Sequence, residues 1–175
     1  HIVKEHKGFF PTSYYELLKI KGIGPYTAAA IASIAFNEAV PAIDGNAKRL
    51  ISRLFNISSP INKSAGLRQI EDVSKELIKG LRPSDYNQAV MDLGSMICKK
   101  NKPACNICPL NQVCLAYQKG TATSLPVKQT MQKTKTRYFT YWVCLEKEHG
   151  DKIFVYIKKR TKKDIWQNLY DFPLV

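Results

Sequence analysis

The chain has 175 residues, with 27 Lys and Arg against 14 Asp and Glu, a formal net charge of +13 and five cysteines. That length can bury one substantial core or one and a half smaller ones. The charge favours a polyanionic partner such as nucleic acid, although composition alone leaves a merely soluble basic protein as an even alternative. No apolar stretch approaches the ~20 residues that span a bilayer and no leader pattern opens the chain, so no membrane association and a cytoplasmic, thiol-reducing compartment are expected.

The chain starts His1-Ile2-Val3-Lys4 in helix-forming residues and stops at Pro173-Leu174-Val175. Both ends read as cut, which makes an excerpt of a longer protein the expectation. Pro11 and the Ser13-Tyr14-Tyr15-Glu16 capping box open a short helix through Leu17, Leu18 and Ile20. Lys21-Gly22-Ile23-Gly24 then forces a tight turn, and Pro25 with the Ala-rich run Thr27 to Ala35 predicts a second helix with small, closely packing side chains. Two glycines at such a turn let a phosphate come close, and the free amides at the start of the second helix can bind it. Many helix pairs use a Gly-x-Gly turn only for packing.

Ala47, Leu50, Ile51 and Leu54 predict a third helix after Asp44-Gly45-Asn46, and Leu67, Ile70, Val73, Leu77 and Ile78 a fourth. After Pro83-Ser84, the residues Tyr86, Ala89, Val90, Leu93 and Ile97 give one apolar face to a helix that ends at the first cysteine. Asp44 itself has two readings: a carboxylate for chemistry, or an N-cap with no catalytic role.

Cys98, Cys105, Cys108 and Cys114 are spaced C-x6-C-x2-C-x5-C. Four thiolates from one short loop suit either zinc or an iron–sulfur cluster. Lys99, Lys100 and Lys102 fill the first interval, where they serve as phosphate contacts or as solvated charges. Residues 118–137 hold five Lys or Arg and no acid, and read as a basic linker with little to bury. Tyr138 to Leu145 and Ile153 to Ile157 are rich in β-branched and aromatic residues, with Glu148-His149-Gly150-Asp151 between them as a predicted hairpin turn. Cys144, in the first of these strands, is expected to be a buried small hydrophobe.

Together these motifs resemble the MutY-type adenine DNA glycosylases of the endonuclease III-like, helix-hairpin-helix superfamily. Leu18 to Ala28, with Gly22, Ile23, Gly24 and Thr27, resembles the family hairpin. Val40 to Arg49 resembles its catalytic-aspartate motif, and the four cysteines resemble its [4Fe–4S] loop. Asn87 to Gly94 is also similar, and is expected to serve packing. More faintly, Ile165 to Pro173 resembles a Gly-Leu-Trp-x-Gly-Leu-Trp-Glu-Phe-Pro segment, with its glycines replaced.

The resemblance implies a mainly α helix-hairpin-helix glycosylase domain with an iron–sulfur loop over residues 1–117. Beyond the linker at 118–137 it implies the truncated start of an α/β Nudix-like (MutT-like) domain over 138–175. The implied function is that of a hydrolase in base-excision repair, removing adenine mispaired with 8-oxoguanine or guanine from double-stranded DNA. It would act as a monomer, in the nucleoid of a bacterium. Asp44 would stabilise the sugar cation, with Tyr26 and Asn46 positioning sugar and nucleophile. Lys21, Gly22, Ile23, Gly24, Thr27, Lys48, Lys99, Lys100 and Lys102 would contact DNA, and the four cysteines would hold a structural [4Fe–4S] cluster.

Tyr26 stands where lyase-active relatives carry a Schiff-base lysine, so base removal without strand cleavage is expected. Nothing in residues 1–43 matches the family's general-acid glutamate, and its lesion-reading loop would lie beyond Val175. These 175 residues alone are therefore expected to bind DNA but to release negligible adenine. The rivals are an endonuclease III-like pyrimidine glycosylase and lyase, and a non-catalytic four-cysteine DNA-binding module.

Overall fold

A computed structural model describes residues 2–130, 136–147 and 152–174. The chain forms two compact units, His1–Thr130 and Met131–Val175, described here separately.

The first unit is helical: α1 (Ile2–Glu5), α2 (Tyr14–Leu17), α3 (Pro25–Phe36), α4 (Gly45–Leu54), α5 (Ser64–Leu77), α6 (Pro83–Met96) and α7 (Leu115–Gln118), with a 3-10 turn at Cys105–Ile107. Ser13 caps α2 by accepting from the Glu16 amide, yet the helix ends at Leu17, one turn earlier than the sequence suggests. Leu17 and Ile20 bury against Ala28 and Ala32 of α3, where methyl side chains let the two helices approach closely. Asn37, in the left-handed region at φ 58°, terminates α3.

A second apolar cluster joins Ile51 of α4 to Ile57, Ile61 and Ile70 of α5. Gly66 is obligatory there, because a Cβ on it would lie 2.3 Å from the Pro60 carbonyl oxygen. Helix α6 packs on both α3 and α4 and forms the spine of the unit.

Residues 118–130 depart from the expected linker. Ala122 and Leu125 are buried against Ala116, with Val127 beside them. Ile61 N–H donates to Val127 O at 2.9 Å, and Asn62 exchanges two hydrogen bonds with the Gln129 backbone. A few apolar residues within a polar, basic stretch are enough to dock it, and their burial cannot be read from its composition.

In the second unit, β1 (Leu145–Lys147) pairs antiparallel with β2 (Ile153–Val155), and β3 (Lys158–Lys159) with β4 (Tyr170–Asp171). Tyr141 bridges Leu174. The predicted turn at 148–151 lies outside the described residues. Cys144 is exposed rather than buried, because β1 shows no buried face along Leu145–Lys147. Two ladders and one bridge, with no helix among the described residues, are what this segment shows of the expected α/β domain. Arg160 anchors it, donating to Asp171 at 3.2 Å and lying 5.5 Å from the Trp166 ring centroid.

Candidate active site and nucleic-acid interface

The turn between α2 and α3 has the form the sequence predicted, with the two glycines differing in role. Gly22 sits at φ 96°, a conformation that favours glycine. Gly24 is extended and N-caps α3 without any side-chain bond to its first amides. A Cβ on either would meet nothing within 4 Å, so the turn is open for a ligand to approach. Lys21 and Thr27 are exposed beside it and Ile23 is half-buried.

Asp44 N-caps α4. Its Oδ1 accepts from Ala47 N–H at 2.7 Å and its Oδ2 from Asn46 Nδ2 at 3.1 Å. The capping role is therefore real, and it fixes the carboxylate in one orientation while leaving the residue half-buried. Asn46 is held in turn by Arg49, which donates to Asn46 Oδ1 (2.8 Å), Gly94 O (2.6 Å) and Cys98 O (2.6 Å). Tyr26 reaches α6, its hydroxyl 3.3 Å from Met91 Sδ. Tyr26, Ile43 and Lys48 line one cavity of about 740 Å³ together with Tyr14, Glu38 and Pro41. The hairpin and the start of α4 thus meet at a common cleft.

All four predicted cysteines line a second cavity with Leu50, Arg53, Leu54 and Ile97. Burial pushes the Cys105 thiol up, as do the neighbouring Cys98, Cys114 and Cys108 sulfurs, while the Arg53 guanidinium pulls it down. Among the described residues no three His, Cys, Asp or Glu groups gather closely enough to hold a metal ion. The lining offers thiols and no imidazole or carboxylate, a donor set that suits zinc or an iron–sulfur cluster rather than a hard cation.

Arg53, which sequence reasoning passed over, is 1% exposed. It donates to Leu125 O, Cys98 O, Lys99 O and Lys100 O, and to Cys98 Sγ at 3.3 Å. The available signal was spacing: Asn46, Arg49 and Arg53 recur at three and four residues, on the α4 face that meets the cysteine loop. Lys99, Lys100 and Lys102 are exposed on that loop.

Residues 5–34 match the helix-hairpin-helix motif. An adenine DNA glycosylase of Arabidopsis thaliana is 38% identical over 95% of this chain and 28% of its own length. One from Buchnera aphidicola of the pea aphid is 32% identical over 98% and 48%. The chain spans about half or less of the relatives it matches. Among solved structures, a thermostable thymine-DNA glycosylase superposes with a TM-score of 0.60 at 29% identity, covering 67% of this chain and 54% of that one. A trapped endonuclease III–DNA covalent intermediate superposes at 0.57 and 26%, covering 68% and 54%.

Proposed function

We propose that this chain, whose helical unit has the helix-hairpin-helix fold of endonuclease III-like glycosylases, carries the aspartate, hairpin and cysteine loop of an adenine DNA glycosylase. Its substrate would be adenine mispaired with 8-oxoguanine or guanine in duplex DNA. The observation that carries this reading is the half-buried Asp44 carboxylate, oriented by Ala47 N–H and Asn46 at the head of α4, where its neighbours Ile43 and Lys48 line a cleft shared with the hairpin helix.

In this reading the adenine is extruded from the duplex. The bond from C1′ to the base breaks, and the base leaves with the electron pair and takes up a proton. Positive charge develops on the sugar, and the Asp44 carboxylate stabilises it. Water adds at C1′ and releases a proton. Tyr26, adjacent to Pro25 at the start of α3, lines that cleft and supplies no amine, so no Schiff base forms at its position. Gly22, Ile23, Gly24 and Thr27 present the amide-rich end of α3 to a phosphate, with Lys21 and Lys48 beside it.

Cys98, Cys105, Cys108 and Cys114 hold a [4Fe–4S] cluster in this proposal, and the donor set of their cavity fits one. When bound, the cluster supplies a structural cross-link between four points of the chain. Arg53 fixes the carbonyls of Cys98, Lys99 and Lys100, and so aims Lys99, Lys100 and Lys102 outward toward DNA.

The test is Asp44→Asn in the full-length protein. Asparagine also caps helices, so stability should change by no more than about 1 kcal/mol. Loss of the charge should slow single-turnover adenine release by roughly a hundredfold or more, with mismatch affinity retained. Near-normal release in a stable variant would reduce Asp44 to a cap. Borohydride should trap little covalent complex; strong trapping would favour the lyase reading.

A further inference from the structure

Residues 37–44 leave α3 and run to Asp44 without regular secondary structure. Such a segment can place a carboxylate reproducibly only if something holds its backbone. Among the described residues, the main chain of 39–43 is hydrogen-bonded to another element through one side chain alone, Asn87 of α6. Its Oδ1 accepts from Ala42 N–H at 2.8 Å and its Nδ2 donates to Val40 O at 3.0 Å. The remaining donor goes to Ser33 Oγ of α3 at 2.8 Å, and Ser33 Oγ donates onward to Ala29 O at 2.7 Å. Asn87 is 1% exposed and Ala42 2%, so water cannot substitute for these bonds.

Helix α6 also controls the far side of Asp44. Seven residues beyond Asn87, Gly94 lies against Asn46: a Cβ on Gly94 would stand 2.7 Å from Asn46 Cβ. Gly94 O accepts from the same Arg49 nitrogen that holds Asn46. One rigid helix therefore fixes residue 42 before Asp44 and residue 46 after it.

We propose that Asn87 is a positioning residue, whose side-chain amide clamps residues 40–42 onto α6 and thereby sets where the Asp44 carboxylate stands. Both of its loop bonds fall two to four residues before that carboxylate. A displacement of about 1 Å at a reacting group can cost a hundredfold in rate, so the clamp should be visible in catalysis beyond its effect on stability. This inference rests on the reading of Asp44 as catalytic.

The experiment compares three variants of the full-length, cluster-loaded protein. Ser33→Ala removes one partner of Asn87 but leaves both bonds to the loop. Asn87→Ala removes both loop bonds, and Asn87→Asp keeps an acceptor for Ala42 N–H while replacing the donor to Val40 O. Single-turnover adenine release, affinity for the mismatch duplex, melting temperature and amide hydrogen exchange at Ala42 are measured for each.

Both Asn87 variants should lose tenfold or more in rate with affinity within about twofold of the parent, and exchange at Ala42 should rise. Ser33→Ala should keep its rate within about twofold even where its melting temperature falls as far. Rates that simply follow melting temperature across the three variants, or an unchanged rate in folded Asn87→Ala or Asn87→Asp, would overturn the proposal. Should Asn87→Ala fail to fold, Asn87→Asp decides alone. Should the parent protein release no adenine at all, the functional reading falls, while exchange at Ala42 still reports whether Asn87 clamps the loop.

Discussion

Arg53 shows how much one side chain can organise. A buried guanidinium is tolerated only when its donors are satisfied, and here every nitrogen is engaged, three carbonyls of the cysteine loop among the acceptors. A lysine at this position keeps the charge but not the planar fork, and cannot reach Leu125 O and the carbonyls from Cys98 to Lys100 at once. Arg53→Lys should therefore lower stability by roughly 1–3 kcal/mol, the range for leaving buried carbonyl acceptors unsatisfied. Iron content per chain should fall with it. Full retention of both iron and melting temperature would show that the loop is held by the cysteines alone.

At the scale of elements, α6 is the member whose sequence understates its function. The stretch from Asn87 to Gly94 reads as packing. The structure gives Gly94 a specific reason: Asn46 occupies the place of its missing Cβ. Alanine there would gain up to about 1 kcal/mol in helix propensity. The contact lies at the root of the Asn46 side chain rather than at a flexible tip, so overpacking should cost about 1–3 kcal/mol and win. Gly94→Ala is expected to be less stable by thermal melting and slower in adenine release; a melting temperature at or above the parent's would mean that α6 and α4 separate without penalty. In the second unit, Trp166 and Asn168 both adopt positive φ, 61° and 70°. Asn168 stands where the resembled motif carries its second glycine, and asparagine is among the residues that tolerate that conformation best.

For the whole molecule, the net charge of +13 has to be weighed by where it stands. Lys21 sits at the open hairpin turn, and Lys99, Lys100 and Lys102 on a loop fixed from below by Arg53. Neutralising phosphates releases counterions, with a slope near −0.9 per contact in a plot of log affinity against log salt. Lys99→Gln, Lys100→Gln and Lys102→Gln combined should reduce the magnitude of that slope by about two to three. The single-turnover rate at saturating enzyme should stay close to the parent's. An unchanged slope would return these lysines to ordinary solvated charges. No helix among the described residues is long and apolar enough to cross a membrane.

The sequence by itself determined the helices, the glycine turn, the aspartate at the head of α4 and the grouping of four cysteines. Each of these depends on neighbours a few residues apart: periodicity, capping, backbone freedom at Gly22, ligand spacing. It could not determine that Ala122 and Leu125 would dock a basic stretch onto the helical unit, or that Cys144 would be exposed. Nor could it show that Arg53 would hold the cysteine loop, that Asn87 would hold the approach to Asp44, or that Gly94 would make room for Asn46. The contacts of Arg53, Asn87 and Gly94 join residues about 45 to 72 positions apart. Only tertiary packing, of α6 against α3 and α4 and of α7 against α4, brings such pairs within hydrogen-bonding or van der Waals range, and no local pattern encodes which distant carbonyl a buried polar side chain will meet.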